Sequence, residues 1–216
     1  MDAPESLAPR LYLLACDLQR DRLVNRDQLG LTLRAAALDD LLTHGLLTDE
    51  NGKPAVARSG PTTADRLQDD LLAAVEAEKP RAWKWWVSRR GGAAVDAVGE
   101  QLADADLIRH STGRTLLVFP ARQVEVLHPE IAEDLRRKAI AILKDDLPMD
   151  RIDRRDAAMT SLAAEGQLRT VFSGAERRRH RARLRELREH VGPAAAALRK
   201  ALSERQAAIA SSGGGG

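Results

Sequence analysis

Between positions 27 and 45 the leucines recur at helical spacing, and the run stops at a glycine. Leu31, Leu38, Leu41, Leu42 and Gly45 gather on one side of a helix turning about 100° per residue. Asp27 reads as the cap that starts this helix, and Gly45 as a left-handed stop. Leu46 and Leu47 then lead into Asn51-Gly52, a strong hairpin signal, with Ala55-Val56-Ala57 as the return strand. Residues 27–56 therefore read as one long helix followed by a short hairpin, and the rest of the chain must pack around them.

Arg34 breaks the pattern. It falls inside the apolar sector, three residues after Leu31 and four before Leu38, while Thr32, Asp39 and Thr43 take the opposite side. A guanidinium on the face meant for the core needs a carboxylate, backbone carbonyls or a bound anion.

The apolar content of the chain is mostly Leu and Ala, with only 3% aromatics and 31% charged residues. That mixture favours a mainly α protein. The expected fold is a single globular domain over residues 7–210, a central helix bundle surrounded by amphipathic helices and short β-hairpins. Residues 1–6 read as a flexible N-terminus and 211–216 as a flexible Gly/Ser tail.

Along the chain, residues 7–18 read as either a strand or one short helix, and Leu23-Val24 as a brief strand. Residues 65–78, 93–106, 129–147, 154–165, 175–191 and 194–210 read as helices. A second hairpin is expected from Leu107-Ile108, a turn near Thr112-Gly113, and Leu116-Leu117-Val118-Phe119. A weak repeat links three helix ends: Leu41-x-x-x-Gly45-x-Leu47, Leu102-x-x-x-Asp106-x-Ile108 and Leu162-x-x-x-Gly166-x-Leu168, starting 61 and 60 residues apart. Any helix capped by Gly or Asp before an apolar segment gives this pattern; three at even spacing favour helix–hairpin units.

The chemistry of most enzyme classes has no motif here. There is no phosphate-binding Gly-rich loop, no dinucleotide fingerprint, no His-Glu-x-x-His and no Gly-x-Ser-x-Gly. The five histidines are scattered, and His44 near a helix end suits a carbonyl partner. Asp145-Asp146 and Asp153-Arg154-Arg155-Asp156 fit capping and ion pairs better than metal binding. We expect no enzyme, no metal and no cofactor. The single cysteine, Cys16, reads as a small buried residue and fits a reducing compartment. No apolar run approaches the roughly 18–20 residues of a membrane span, and no signal peptide is expected at the N-terminus.

Two features carry surface chemistry. Arg177, Arg178, Arg179, Arg181, Arg183, Arg185 and Arg188 form the densest positive segment, partly offset by Glu176, Glu186 and Glu189. It is either a solvated, internally paired helix face or an anion-binding surface. Trp83, Trp85 and Trp86 sit among Lys84, Arg89 and Arg90. Trp83 and Trp86 share a helical face and suit a core; the group also fits an interfacial anchor. Leu116 to Phe119 with residues 124–127 would form an apolar hairpin, buried or exposed.

These segments resemble the Golgi phosphoprotein 3 family, in particular its short bacterial members. The resemblance rests on Leu11-Tyr12-Leu13-Leu14-Ala15, on Leu33-Arg34-Ala35-Ala36-Ala37-Leu38 through Gly45-Leu46-Leu47, and on Trp86-Val87. Residues 102–108, Leu116 to Pro120 and Arg151-Ile152-Asp153-Arg154-Arg155 complete it. No one motif is specific; their order and spacing carry the likeness.

The resemblance implies a cytoplasmic protein peripherally associated with membrane that binds an anionic phospholipid, most of all phosphatidylinositol 4-phosphate or a related phosphoinositide. It further implies protein cargo, since eukaryotic relatives recruit the cytosolic tails of glycosyltransferases, and a homo-oligomer formed through the 108–119 hairpin. Arg34 matches the family's headgroup arginine. Asn25 stands where the family has a pocket tryptophan, and Gly92 and Val95 stand near two further pocket arginines. Arg89 and Arg90 are the nearby substitutes, so the expected headgroup residues are Arg34, Arg89 and Arg90. The expected membrane-contact residues are Trp83, Trp85, Leu116, Leu117 and Phe119. Two other readings stay open: a winged-helix-like nucleic-acid binder, disfavoured by a net charge of only +2, and a protein–protein scaffold with Arg34 ion-paired in the core.

Overall fold

The leucine-rich run becomes the central helix, buried all round. In the computed structural model, which describes residues 2–57, 63, 65–112, 122–145 and 147–212, helix α2 spans Arg26–Thr43. Every residue from Leu29 to Leu41 is buried. Thr32, Asp39 and Asp40 are therefore inside as well, so the side opposite the leucines is a second packed face. The chain starts α2 from Asn25, in the left-handed conformation, and Asp27 sits in the first turn instead of capping it. There its carboxylate faces the positive end of the helix and pairs with Arg205 at 3.0 Å.

Helix α1 (Leu7–Ala15) packs against α2 and settles the strand-or-helix ambiguity of that segment. Eight of its nine residues are buried. A helix covered on all sides shows no amphipathic stripe, so its sequence could not declare its period. A two-residue ribbon follows, β1 (Cys16–Asp17) with β2 (Arg22–Leu23), antiparallel. Cys16 is buried, and its thiol donates to the Tyr12 carbonyl at 3.4 Å. Burial pushes its pKa up to about 12 against the opposing pull of Arg136, so it is an inert core residue.

Beyond α2 the hairpin forms as the Asn-Gly signal requires. Strands β3 (Leu47–Asp49) and β4 (Pro54–Val56) pair Leu47 with Val56, Thr48 with Ala55 and Asp49 with Pro54. Asn51 and Gly52 both take positive φ, 53° and 79°. Glu50 and Lys53 exchange backbone hydrogen bonds across them, as in a type I′ turn. Helix α3 (Arg66–Ala77) is capped by the Asp65 carboxylate, which accepts from the N–H groups of Leu67 and Gln68. The short α4 (Trp83–Ser88) and α5 (Gly91–Asp104) follow.

The second hairpin differs from expectation. Strand β5 (Ile108–Thr112) pairs with β6 (Arg122–Val126), placing Ile108 opposite Val126 and His110 opposite Val124. The partner of Ile108 is thus Val126, and the expected return segment Leu116 to Phe119 lies outside the described residues. Val124 and Val126 alternate with Gln123 and Glu125, the period-two pattern of a half-buried strand. Val124 is buried, so this end of the hairpin belongs to the core.

Helix α6 (Pro129–Lys144), a 3-10 turn (Met149–Arg151) and α7 (Arg154–Glu165) come next. The basic segment is two helices, α8 (Gly174–Arg179) and α9 (Arg181–Val191), broken at His180. Helix α10 (Pro193–Ser212) closes the molecule, lying against α2, α4, α7 and α9. Among the described residues these ten helices and three two-stranded ribbons form one globular, mainly α domain. None of the helices is long and apolar enough to cross a membrane.

The three-fold pattern of helix ends is real in the backbone. Leu46 donates to the Leu41 carbonyl, Leu107 to Leu102, and Leu168 to Ala163, all at 2.9–3.0 Å. The residue before each donor is left-handed: Gly45, Asp106 and Gln167. This is the Schellman closure. In the third copy the left-handed residue is Gln167, not Gly166. Gly166 is needed for a different reason: a Cβ there would run into the Thr32 hydroxyl and the Leu162 carbonyl. Only the first two copies lead into hairpins; the third enters a turn before α8.

Candidate functional site

Three elements bring the expected arginines together. Helix α2 supplies Arg34, and the link between α4 and α5 supplies Arg89 and Arg90. Gly30, one turn before Arg34, makes this possible. A Cβ at Gly30 would overlap the carbonyl, carbon and Cα of Gly91, so α2 and the start of α5 meet backbone to backbone. Arg34, four residues on, then sits beside the α4–α5 link.

Arg34 is 7% exposed. Its Nε donates to the Trp86 carbonyl at 2.7 Å. That carbonyl belongs to the last turn of a six-residue helix, where backbone acceptors lack intrahelical donors. The guanidinium thus completes α4 while α4 fixes the guanidinium. Among the described residues no carboxylate lies within ion-pair distance of Arg34. Burial, with Arg90 and Arg89 nearby, lowers its pKa to about 10, and only Asp70 pulls the other way. It remains a cation at neutral pH.

The three arginines line one solvent-open hollow of about 140 Å³, with Asp70, Trp85 and Trp86 among its other walls. Arg89 lies over the Trp85 ring at 4.3 Å, with Arg81 at 5.5 Å, and Trp85 meets Trp86 edge to face. This stacking holds the Arg89 plane beside the mouth. Arg90 takes φ 48° and forms the N-cap of α5 with no side-chain cap. The first N–H groups of α5 carry the positive end of its dipole, and Ala93 and Ala94 bring that end to the wall. The Trp86 indole Nε1 is buried without an acceptor among the described residues. The hollow therefore presents hydrogen-bond donors and cations, countered by Asp70 and Glu78 at its wall.

The other expected residues separate. Trp83 is 4% exposed and donates through Nε1 to Asp49 at 2.8 Å. It locks α4 onto the first hairpin, and this placement removes it from the membrane-contact set, because its ring has no free face. Trp85 is half-buried at the mouth of the hollow. Leu116, Leu117 and Phe119 lie outside the described residues. Asn25 is exposed at the start of α2; Gly92 is exposed, and Val95 is buried against a different hollow beside Arg22 and Arg26. None of these three contributes to the Arg34 hollow. Sequence reasoning missed the Trp86 carbonyl, and no pattern in one dimension marks a helix-end acceptor 52 residues away.

The site is thus a solvent-open hollow carrying three arginines at the junction of α2, α3, α4 and α5 of a helical core. The family model of Golgi phosphoprotein 3 (GPP34) matches residues 7–205. The chain belongs to that family. Among curated proteins the comparison found no match.

Proposed function

We propose that this protein is a peripheral membrane adaptor whose Arg34 hollow holds the phosphate of an anionic phospholipid, phosphatidylinositol 4-phosphate or a related phosphoinositide. One observation carries the reading: a buried guanidinium tied through Nε to a carbonyl, with no acid in ion-pair contact among the described residues and only Asp70 and Glu78 at the wall, opening on a hollow shared with Arg89 and Arg90. A buried cation without a counter-ion is costly. An incoming phosphate removes that cost, and a guanidinium holds it by a charge-assisted fork. Trp85 at the mouth would rest in the headgroup layer, where half-buried indoles are favoured. The family further favours protein cargo and self-association through the 108–119 segment.

Sedimentation with phosphatidylcholine vesicles, with and without phosphatidylinositol 4-phosphate, tests the proposal. The native chain is expected to pellet with the phosphoinositide vesicles. Arg34→Ala is expected to lose about tenfold or more in affinity, the size of one charge-assisted contact. Binding that ignores the phosphoinositide, or that survives Arg34→Ala unchanged, would refute it.

A further inference from the structure

Three arginines of the basic segment are matched to acids. Arg183 pairs with Glu186 at 3.3 Å and also donates to the Ile142 and Leu147 carbonyls. Arg185 pairs with Glu189 at 2.9 Å. Arg188 turns inward and is taken by Glu165 at 2.7 Å, both side chains largely buried.

Arg177, Arg181 and Arg199 are not matched. They come from α8, α9 and α10 and line one hollow of about 270 Å³ beside the end of α7. Among the described residues its one lining carboxylate is Glu165, which is held by Arg188 and whose charge also reaches Arg177. Arg177 donates to the Phe172 carbonyl at 2.8 Å and has no acid partner among the described residues. Arg181 and Arg199 are exposed and make no ion pair among them. Burial, together with the charges of Arg169 and Arg178, lowers the pKa of Arg177. Three guanidiniums brought to one hollow from separate helices outnumber its single acid and favour an anion that joins them. Their planar forks match the oxygens of phosphate. The space exceeds the roughly 30 Å³ of one water several-fold. No residue of this hollow lines the one around Arg34.

We propose that this cleft between α7, α8, α9 and α10 is a second anion site, one that takes a phosphomonoester or diphosphate group. The chemistry is common to a lipid headgroup and to a soluble phosphate. The site stands without the Arg34 reading, so its test is made in the Arg34→Ala background.

Calorimetric titration with inorganic pyrophosphate and sedimentation with phosphatidylcholine vesicles containing phosphatidic acid are run on two proteins. One is Arg34→Ala; the other adds Arg181→Gln and Arg199→Gln. Both added positions are exposed and unpaired, so an unchanged melting temperature is expected without ligand. Arg34→Ala is expected to bind, and the triple variant to bind about tenfold or more weakly. A loss confined to pyrophosphate supports the site and assigns it a soluble phosphate. A loss confined to vesicles supports it and assigns a lipid headgroup. Equal binding by both proteins to both probes, or no binding by Arg34→Ala to either, overturns the proposal.

Discussion

Within seven positions of α2 three ionisable side chains are buried, and each is treated differently. Asp39 is neutralised: the Arg154 fork grips both its oxygens at 3.0 Å. Arg34 receives only a carbonyl. Asp40 receives only neutral donors, the Leu7 N–H at 2.8 Å and the Gln68 amide at 3.2 Å, both on Oδ2. Burial raises Asp40 to about 7, the Leu7 N–H pulls it back, and Asp39 and Asp65 push it further up. Its ordinary value is 3.8. Between those values the folded chain keeps a proton that the unfolded chain has released, so protonation favours folding. The contribution is fully present below about pH 4 and is lost as pH rises through 7. Asp40→Asn can keep both bonds on its single oxygen and cannot ionise. Urea denaturation at pH 4.5 and pH 8 is expected to show the native chain losing on the order of a few kcal/mol across that interval, with a clearly flatter profile for Asp40→Asn. Parallel profiles would place the proton elsewhere.

At the scale of elements the site depends on how closely two helices approach. The atoms that a Gly30 Cβ would strike all belong to the Gly91 backbone, so no side chain can swing aside. Gly30→Ala is expected to destabilise the fold by about 1–3 kcal/mol, the usual cost of overpacking, and to weaken phosphoinositide binding by moving Arg34 away from Arg89 and Arg90. Gly92→Ala is the control: its Cβ would meet open space, so melting temperature and vesicle binding should both stay near native. Equal effects of the two substitutions would show that close approach is not what places Arg34. The same scale explains what the sequence made legible. Arg34 stood out because a charge in an apolar sector is a local conflict, visible without any partner. Helix ends with glycine, and the Asn51-Gly52 turn, were legible because left-handed backbone selects few residue types. The return strand of the second hairpin was not, because register is decided across strands and the Leu116 to Phe119 run outweighed the weaker alternation at Val124 and Val126. Nor did the basic segment show which arginines are free. The Glu186 partner of Arg183 lies one helical turn on and is visible in the spacing, but only packing gives Arg188 its Glu165 and leaves Arg181 without an acid among the described residues.

Across the whole molecule 34 basic and 32 acidic residues nearly cancel. A net charge of +2 gives little long-range pull toward an anionic surface, and salt screens that pull beyond about 8–10 Å. The proposed attachment would therefore rest on local hollows, and its energy would also be felt by the fold. The Arg34 hollow is walled by α2, α3, α4 and α5, so an occupant joins elements that would separate on unfolding. A ligand that binds only the folded chain stabilises it by about 2.7 kcal/mol at one hundred times its Kd. For a domain of this size about 1 kcal/mol moves Tm by about 2–4 °C. A water-soluble short-chain phosphatidylinositol 4-phosphate at that excess is expected to raise the Tm of the native chain by about 5–10 °C. The gain should shrink to a degree or so in Arg34→Ala and should persist in Arg181→Gln/Arg199→Gln. A gain that survives Arg34→Ala but disappears when Arg181 and Arg199 are replaced would move the lipid to the cleft beside α9, and the central arginine would then be a structural strut for α4.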